Sequence, residues 1–255
     1  MNGFAAFARK EATEIVRTWR VWVLPGMLLF FALTGPLMAR FTPEIIKAVG
    51  GDQLAGIMAA LPKPTYLDSY GQWTKNLTQI ALFAIIIIYG GLISAERKSG
   101  TAILVLTKPV SRVGFVIAKA TVHAAFLTVT MVVGTLVTWG GTALAFGTAP
   151  GGSLWLASLA WLGLGVLFLG IMTLLSTLLD SQAGAAGIGL GVFALMSIAA
   201  MWEPLGKYSP AALGGQSMML AAGKDAAILW PVVTSLVLVV SLVLIAAIVF
   251  RTKEL

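Results

Sequence analysis

The polar stretch Ser94–Lys119, SAERKSGTAILVLTKPVSRVGFVIAK, lies between two runs that are too apolar for a water-soluble fold. The run before it includes IALFAIIII at 80–88, and a second apolar run starts at Ala120. A charged segment between two such runs is typical of a loop that joins two membrane-spanning helices. The loop has the highest density of charge outside the N-terminus, in Glu96, Arg97, Lys98, Lys108, Arg112 and Lys119.

The composition supports a membrane protein. Of the 255 residues, 58% are hydrophobic and 11% are charged, whereas soluble domains have about 25% charged residues. We therefore predict an all-α, polytopic membrane protein with a single transmembrane domain over residues 1–255. The absence of cysteine excludes disulfides, zinc–thiolate sites and thiol nucleophiles. The net charge of +7 does not indicate a nucleic-acid partner, because the basic residues cluster at the ends of apolar runs.

Six apolar runs are long enough to cross a bilayer, which takes about 20 residues. The predicted spans are about 21–38, 77–93, 120–138, 154–179, 183–201 and 227–250. A helix at 4–19 precedes them, with Phe4, Ile15 and Trp19 on its apolar face and Glu11 among the charged residues of the other face. We expect this helix to lie in the membrane interface, the alternative being an ordinary cap helix.

The positions of Lys, Arg and Trp predict the orientation. A cytosolic N-terminus places eleven Lys and Arg residues inside and six outside, which agrees with the positive-inside rule. Six spans then put both termini in the cytosol. Trp73 and most other tryptophans fall at the ends of spans, as in an interfacial belt, and Trp161 alone lies inside a span.

Two regions leave alternatives open. In the outer segment 40–71, the sequence Thr42-Pro43-Glu44 predicts the start of one short helix and Asp52 the start of a second, although a plain loop is the alternative. The fourth and fifth spans form a tight hairpin at 180–182. In the fifth span, a GxxxG from Gly187 to Gly191 allows close helix packing, either within the chain or between subunits.

The sequence lacks the motifs of several classes of site. It has no phosphate-binding loop and no protease or hydrolase motif, so we expect no enzyme activity and no cofactor on this chain. No Asp, Glu, Lys or Arg lies well inside a predicted span, which disfavours an ion-coupled carrier and favours an external source of energy. His123, one helical turn beyond Lys119, is interpreted as a packing residue.

The loop itself contains residues that typically start, end or cap a helix. Gly100 can form a turn, a short helix can run from Thr101 to Leu106, Pro109 stops it, and Ser111 can cap the third span. This short apolar helix must bury one face, against either a neighbouring interfacial helix or a groove of a partner protein.

At these residues the sequence resembles a known family. The pattern Glu96-x3-Gly100-Thr101, then Leu106-x2-Pro109-Val110-Ser111-Arg112 and Lys119, is similar to the first cytosolic loop of type-2 ABC (ATP-binding cassette) exporter permeases. The resemblance is to the six-helix group that includes nitrous-oxide-reductase maturation permeases and antibiotic or multidrug export permeases.

The resemblance implies a permease in a bacterial or archaeal cell membrane, working as two permease copies with two separate ATPase subunits that hold ATP and Mg²⁺. It also implies a coupling loop at 94–119 that docks in the ATPase. The implied coupling residues are Glu96, Gly100, Thr101, Leu104, Pro109, Ser111 and Arg112. We expect Glu96 and Arg112 either to contact the ATPase or to brace the loop. The alternatives are a stand-alone secondary carrier or channel, and a membrane assembly factor without transport.

Overall fold

The computed structural model describes residues 3–50, 62–107 and 110–253, and every regular element within these ranges is helical. A π-helical turn spans Leu77–Ala81, and a 3₁₀ turn spans Pro210–Ala212. The helices are α1 Gly3–Arg17, α2 Arg20–Gly50, α3 Tyr66–Asn76, α4 Leu82–Tyr89, α5 Ser94–Lys98, α6 Thr101–Leu106, α7 Arg112–Phe146, α8 Gly151–Leu178, α9 Gln182–Ala199, α10 Glu203–Tyr208, α11 Leu213–Ala221 and α12 Leu229–Thr252.

Within the described ranges, six helical segments are long and apolar enough to cross a membrane. They are Val21–Ala48, Tyr66–Lys98, Arg112–Phe146, Gly151–Leu178, Gln182–Ala199 and Leu229–Thr252. The prediction of an all-α, multi-pass membrane protein is confirmed. Several of these helices run beyond the apolar runs, because a helix continues past the apolar part of its sequence where capping residues and neighbouring helices support it.

The first span is longer than expected, and the expected helix start at Thr42 is wrong. Helix α2 runs without a break to Gly50 and contains Pro25, Pro36 and Pro43. Thr42 lies mid-helix, where its hydroxyl donates to the carbonyl of Met38 rather than capping a new helix. The second helix expected near Asp52 falls at 51–61, outside the described residues.

Helix α1 is present, but its faces differ from those predicted. The side chains that it buries are Phe7, Glu11 and Ile15, at helical spacing. The assignment of Glu11 to the solvated face is therefore wrong, and Ile15 packs inside the protein. Phe4 is 44% exposed, and Trp19 lies beyond the helix and is 55% exposed.

The core is built around α8, which packs against α4, α7, α9, α11 and α12. Trp161 and Phe168 of α8 are buried there. Trp73 is also fully buried, its indole N–H donating to Ser158 Oγ at 3.3 Å, so its assignment to an interfacial belt is wrong. A Cβ at Gly134 of α7 would lie 2.8 Å from the Trp73 ring, so the glycine makes room for the indole.

In helix α9, the glycine that packs inside the chain is not one of the GxxxG pair. Gly187 and Gly191, the GxxxG pair, have no atom of the described chain within 4 Å of an added Cβ. Gly189 instead faces inward, where a Cβ would lie 2.6 Å from Met172 Sδ and 2.9 Å from Ile86 Cγ2. The GxxxG pair therefore does not pack against another helix among the described residues.

One end of the helix bundle, here called the N-terminal face, gathers α1, α5, α6, the α8–α9 turn and the end of α12. Lys253 Nζ donates to the carbonyl of Leu178 at 3.1 Å, and Arg97 pairs with Asp180. The first and last described helices thus end on the same side, as an even number of spans requires.

Candidate functional site

The loop between the second and third spans contains the short helix that its sequence predicts. Gly100 has φ of +72°, in the left-handed region that glycine adopts without strain, and helix α6 begins directly after it at Thr101. The hydroxyls of Ser99 and Thr101 lie 2.8 Å apart and tie the turn together. Ser111 Oγ accepts the N–H of Gly114 at 2.9 Å and caps α7, as predicted.

Helix α6 packs one face on its own chain and leaves another face open. Ala102 is fully buried in the core, and Val105 and Leu106 pack partly against it. Ile103 is 46% exposed at the N-terminal face. Of the predicted coupling residues, Pro109 lies outside the described residues, as does the side chain of Leu104. Part of the surface of α6 is thus buried within the chain, while the apolar side chain of Ile103 remains exposed.

A cluster of five charged side chains, here called the charge cluster, joins α1 and α5 to α7. Its centre is Lys119, whose Nζ lies 2.7 Å from Glu11 Oε2 and 2.5 Å from Glu96 Oε1. Lys10 bridges the same two carboxylates, at 2.9 Å from Glu11 and 3.5 Å from Glu96, and also pairs with Glu14. Because the partners come from three helices, the cluster fixes the loop to the N-terminal helix and to the third span.

The electrostatics of the charge cluster depend on burial. Lys119 and Glu11 are fully buried, and a buried ion that loses its partner costs several kcal/mol. Partial burial alone would lower the pKa of Lys10, but its hydrogen bonds to Glu14 and Glu11 and the charge of Glu96 outweigh that effect and raise it above the usual range. Oxygens of the three carboxylates converge as metal ligands would, yet the two ammonium groups already bind them.

Aromatic rings cover the buried side of the charge cluster. Phe115 stacks between Phe7 and Phe250, with ring centroids 5.1 and 5.2 Å apart. The ammonium group of Lys119 lies 5.4 Å from the Phe115 ring centroid, a distance at which a cation is attracted to the ring face. This packing keeps water from one side of the ion pairs and strengthens them.

The structure corrects one expectation about charge. Lys119, assigned to the loop, lies in the first turns of α7 and is fully buried. Local sequence gives no signal for its pairing with Glu11, 108 residues away. His123, one turn further along α7, is buried with its ring edge-to-face on Tyr89 at 5.1 Å, which agrees with a packing role.

Arg112 and Glu96 both make contacts that brace the loop. Arg112 Nη1 donates to the main-chain carbonyls of Arg251 at 3.0 Å and Lys253 at 2.8 Å. It thereby satisfies carbonyls that the end of α12 leaves without helical partners. With Glu96 in the charge cluster, each end of the loop is held by a specific ion pair or hydrogen bond.

A second feature lies within the membrane-spanning part. An open apolar groove of about 580 Å³ runs between α4 and α9 and is lined by Phe83, Ile87, Leu190, Phe193, Ala194, Ser197 and Ile198. Phe193 forms edge-to-face contacts with Phe83 at 5.4 Å and with Phe168 at 6.0 Å. Such a lining suits an apolar or amphiphilic molecule and offers no group for acid–base chemistry.

The sequence of the chain is similar to those of known membrane proteins. Residues 5–208 match the family described as "ABC-2 family transporter protein". The chain is also similar to the protein described as "Uncharacterized transmembrane protein YxlG" of Bacillus subtilis (strain 168), with 26% identity over 219 residues, which are 85% of this chain and 84% of the relative.

Proposed function

The chain belongs to the ABC-2 transporter family and is a membrane transport subunit, and on this premise we propose that it is the permease of an ATP-driven exporter. The ATPase is a separate chain that docks on the N-terminal face. Membership of this family implies an ABC ATPase partner in general. The docking site and the pairing of two permeases are proposed on physical grounds, and the direction of transport on the resemblance of the loop to exporter permeases.

The observation that carries the proposal is the construction of the loop at α5 and α6. Gly100 turns the chain, α6 lies beside the core through Ala102, and Ile103 remains exposed. Glu96 of α5 is fixed to Lys119 of α7, and Arg112 of α7 is fixed to the end of α12, so a force on α6 reaches these two helices through the loop. A loop that only connected two spans would have no need of these buried ion pairs.

The positive-inside rule, applied to the observed helix ends, supports our proposal that the N-terminal face lies in the cytosol. The basic residues Arg9, Arg17, Arg97, Arg112 and Arg251 all belong to elements of this face. We therefore place both ends of the chain in the cytosol of a bacterial or archaeal cell, where an ATPase has access to α6.

The cargo is proposed to be apolar or amphiphilic, because the groove between α4 and α9 has an almost entirely apolar lining.

Two copies of the chain, or this chain and a homologous permease, are proposed to pair through α9. Its Gly187 and Gly191 allow close approach of a second helix. If two copies pair through α9, the groove between α4 and α9 lies near the pathway between them.

The test is co-expression of the chain with a candidate ABC ATPase, followed by affinity purification of the complex. Ile103→Asp should abolish co-purification, because it places a charge where an apolar contact is proposed. Met219→Asp introduces the same charge at an exposed apolar site of α11, which lies outside the six spanning segments, and should leave the complex intact.

Equal recovery of the ATPase with both variants would contradict docking at α6. The two other classes of function give different results. A secondary carrier would transport through the purified chain in liposomes with an ion gradient and no ATP, and an assembly factor would show no substrate-stimulated ATP hydrolysis in the reconstituted complex.

A further inference from the structure

The second span is interrupted just before the loop. Helix α4 ends at Tyr89 and α5 begins at Ser94, with a turn at Gly90–Ile93 between them. In a continuous α-helix the N–H groups of Ile93 and Ser94 would bond to carbonyls four residues earlier. Instead both donate to Ser176 Oγ of α8, at 2.9 and 3.0 Å.

Ser176 of α8 stabilises this interruption of the second span. It is fully buried, and its own hydroxyl hydrogen points to Ser94 Oγ at 3.3 Å. A hydroxyl has one donor and two acceptor positions, so these three bonds use its full capacity. The break in the second span is therefore stabilised by a side chain inserted into the hydrogen-bond ladder, a recognised cause of helix kinks.

Gln182, the first residue of α9, contacts the other side of the same break. Its Nε2 donates to the carbonyl of Ile87 at 3.1 Å. A Cβ at Gly90 would lie 2.8 Å from the backbone oxygen of Gln182, and one at Gly91 would lie 2.9 Å from its Oε1. Because Gly90 and Gly91 have no side chain, the α8–α9 turn packs directly against the turn at Gly90–Ile93.

Arg97 adds a third attachment, on the loop side of the break. Its Nη1 donates to the carbonyl of Thr177 at 3.1 Å, and its guanidinium pairs with Asp180. All three attachments reach residues 176–182, which form the end of α8 and the start of α9. We call this set of contacts, made by Ser176, Gln182 and Arg97, the latch.

We propose that Ser176 and Asp180 are positioning residues that carry the movement of the α5–α6 loop to the α8–α9 hairpin. This inference rests on the proposed coupling of the loop to an ATPase. The turn at Gly90–Ile93 is the hinge. Ser176 and Asp180 attach the hairpin to the loop side of this hinge, and the bond from Gln182 to Ile87 attaches it to α4 on the other side.

The packing of α9 agrees with an element that moves. Ala185 and Gly189 are its buried residues, whereas α8 buries a long series of side chains. A helix that the bundle holds weakly and that the latch holds at one end will respond chiefly to the latch. Movement of α9 would also change the width of the groove between α4 and α9.

The first experiment needs no ATPase. Since the chain contains no cysteine, spin labels can be placed on Lys98→Cys and Ala183→Cys, both exposed, without removing native thiols. In lipid nanodiscs the distance distribution should be narrow. It should broaden in Asp180→Asn and in Ser176→Ala. The matched control Ser197→Ala removes a hydroxyl that donates to the carbonyl of Phe193 in its own helix and should leave the distribution narrow.

The second experiment uses the complex with its co-purified ATPase, without nucleotide and after trapping with Mg-ATP and vanadate. Labels on Ile198→Cys and Leu144→Cys, both strongly exposed, report on the far end of α9. Their distance should change by about 2 Å or more on trapping. Asp180→Asn, whose side chain lies at the surface, should abolish the change without loss of the complex.

The outcomes separate the two proposals. If Asp180→Asn and Ser176→Ala keep narrow distributions and a normal response to trapping, the latch is wrong while coupling to the ATPase stands. If no candidate ABC ATPase co-purifies with the unaltered chain, the proposed ATPase coupling is wrong and the inference falls with it. If the complex forms but the distance does not change on trapping, the transfer of movement through the latch is wrong.

Discussion

The ammonium group of Lys119 lies 2.7 Å from a carboxylate oxygen of Glu11, although the two residues are 108 positions apart in the sequence. Both side chains are fully buried. The N-terminal helix is therefore attached to the third span by a buried ion pair, and Glu96 brings the loop to the same ammonium group.

Replacement of Lys119 by methionine should destabilise the chain by about 3–5 kcal/mol, because it leaves Glu11 and Glu96 without their main partner in a buried site. Thermal unfolding in detergent, followed by tryptophan fluorescence, measures the effect. Lys98→Met removes the same charge from an exposed position on the same loop and should change the midpoint little. Equal shifts for both variants would contradict a structural role for the pair.

The contribution of Lys10 should depend on pH in a defined direction. Its pKa is raised above the ordinary value of 10.5, since its carboxylate partners outweigh the opposing effect of burial. A lysine with a raised folded-state pKa contributes stability that is complete below its unfolded pKa and is lost as the pH rises through the folded pKa. The midpoint difference between wild type and Lys10→Met should therefore stay constant from pH 7 to pH 9.5. A difference that vanished within this range would refute the assignment.

Gly100→Ala should cost about 1–2 kcal/mol, because a Cβ is unfavourable at φ of +72° even though open space surrounds this position. The comparison is Gly71→Ala in α3, which also has open space but a helical backbone. That change should be neutral or stabilise by up to about 1 kcal/mol. Denaturant titration of both variants separates backbone strain from a general intolerance of larger residues.

Leucine at Gly187 and Gly191 should reduce pairing of two permease copies with little effect on the folded chain, because both glycines face open space. Cross-linking and mass photometry in nanodiscs measure the pairing. Gly189→Leu should instead destabilise the chain by about 1–3 kcal/mol through overlap with Met172 and Ile86. Unchanged pairing in the Gly187/Gly191 variant would exclude this face of α9 as the contact between copies.

Local features of the chain were predictable because their causes are local. Gly100 and Ser111 have the residue types that a left-handed turn and a helix N-cap require, and both occur as expected. The continuous α2 was missed because Thr42-Pro43-Glu44 has the signature of a helix start. A proline is tolerated inside a spanning helix where its neighbours satisfy the freed carbonyl, so the motif did not decide the outcome.

The burial of Trp73 and the pairing of Lys119 were not predictable in the same way. Hydropathy places tryptophan at the membrane interface and lysine at its edge on average. In this fold, Gly134 leaves space for the Trp73 ring, and Glu11 and Glu96 meet at Lys119. Both depend on which helices become neighbours, and a one-dimensional pattern does not contain that information.

The sequence by itself determined that the chain crosses a membrane as helices, since apolar runs of this length can satisfy their backbone hydrogen bonds in lipid only within each helix. It also determined the short helix at Thr101–Leu106 and the turn that starts it. Only the tertiary structure decided what holds that loop. The bonds from Lys119 to Glu11 and Glu96, and from Ser176 to the broken second span, join residues far apart in the chain, and their strength comes from burial, which packing alone creates.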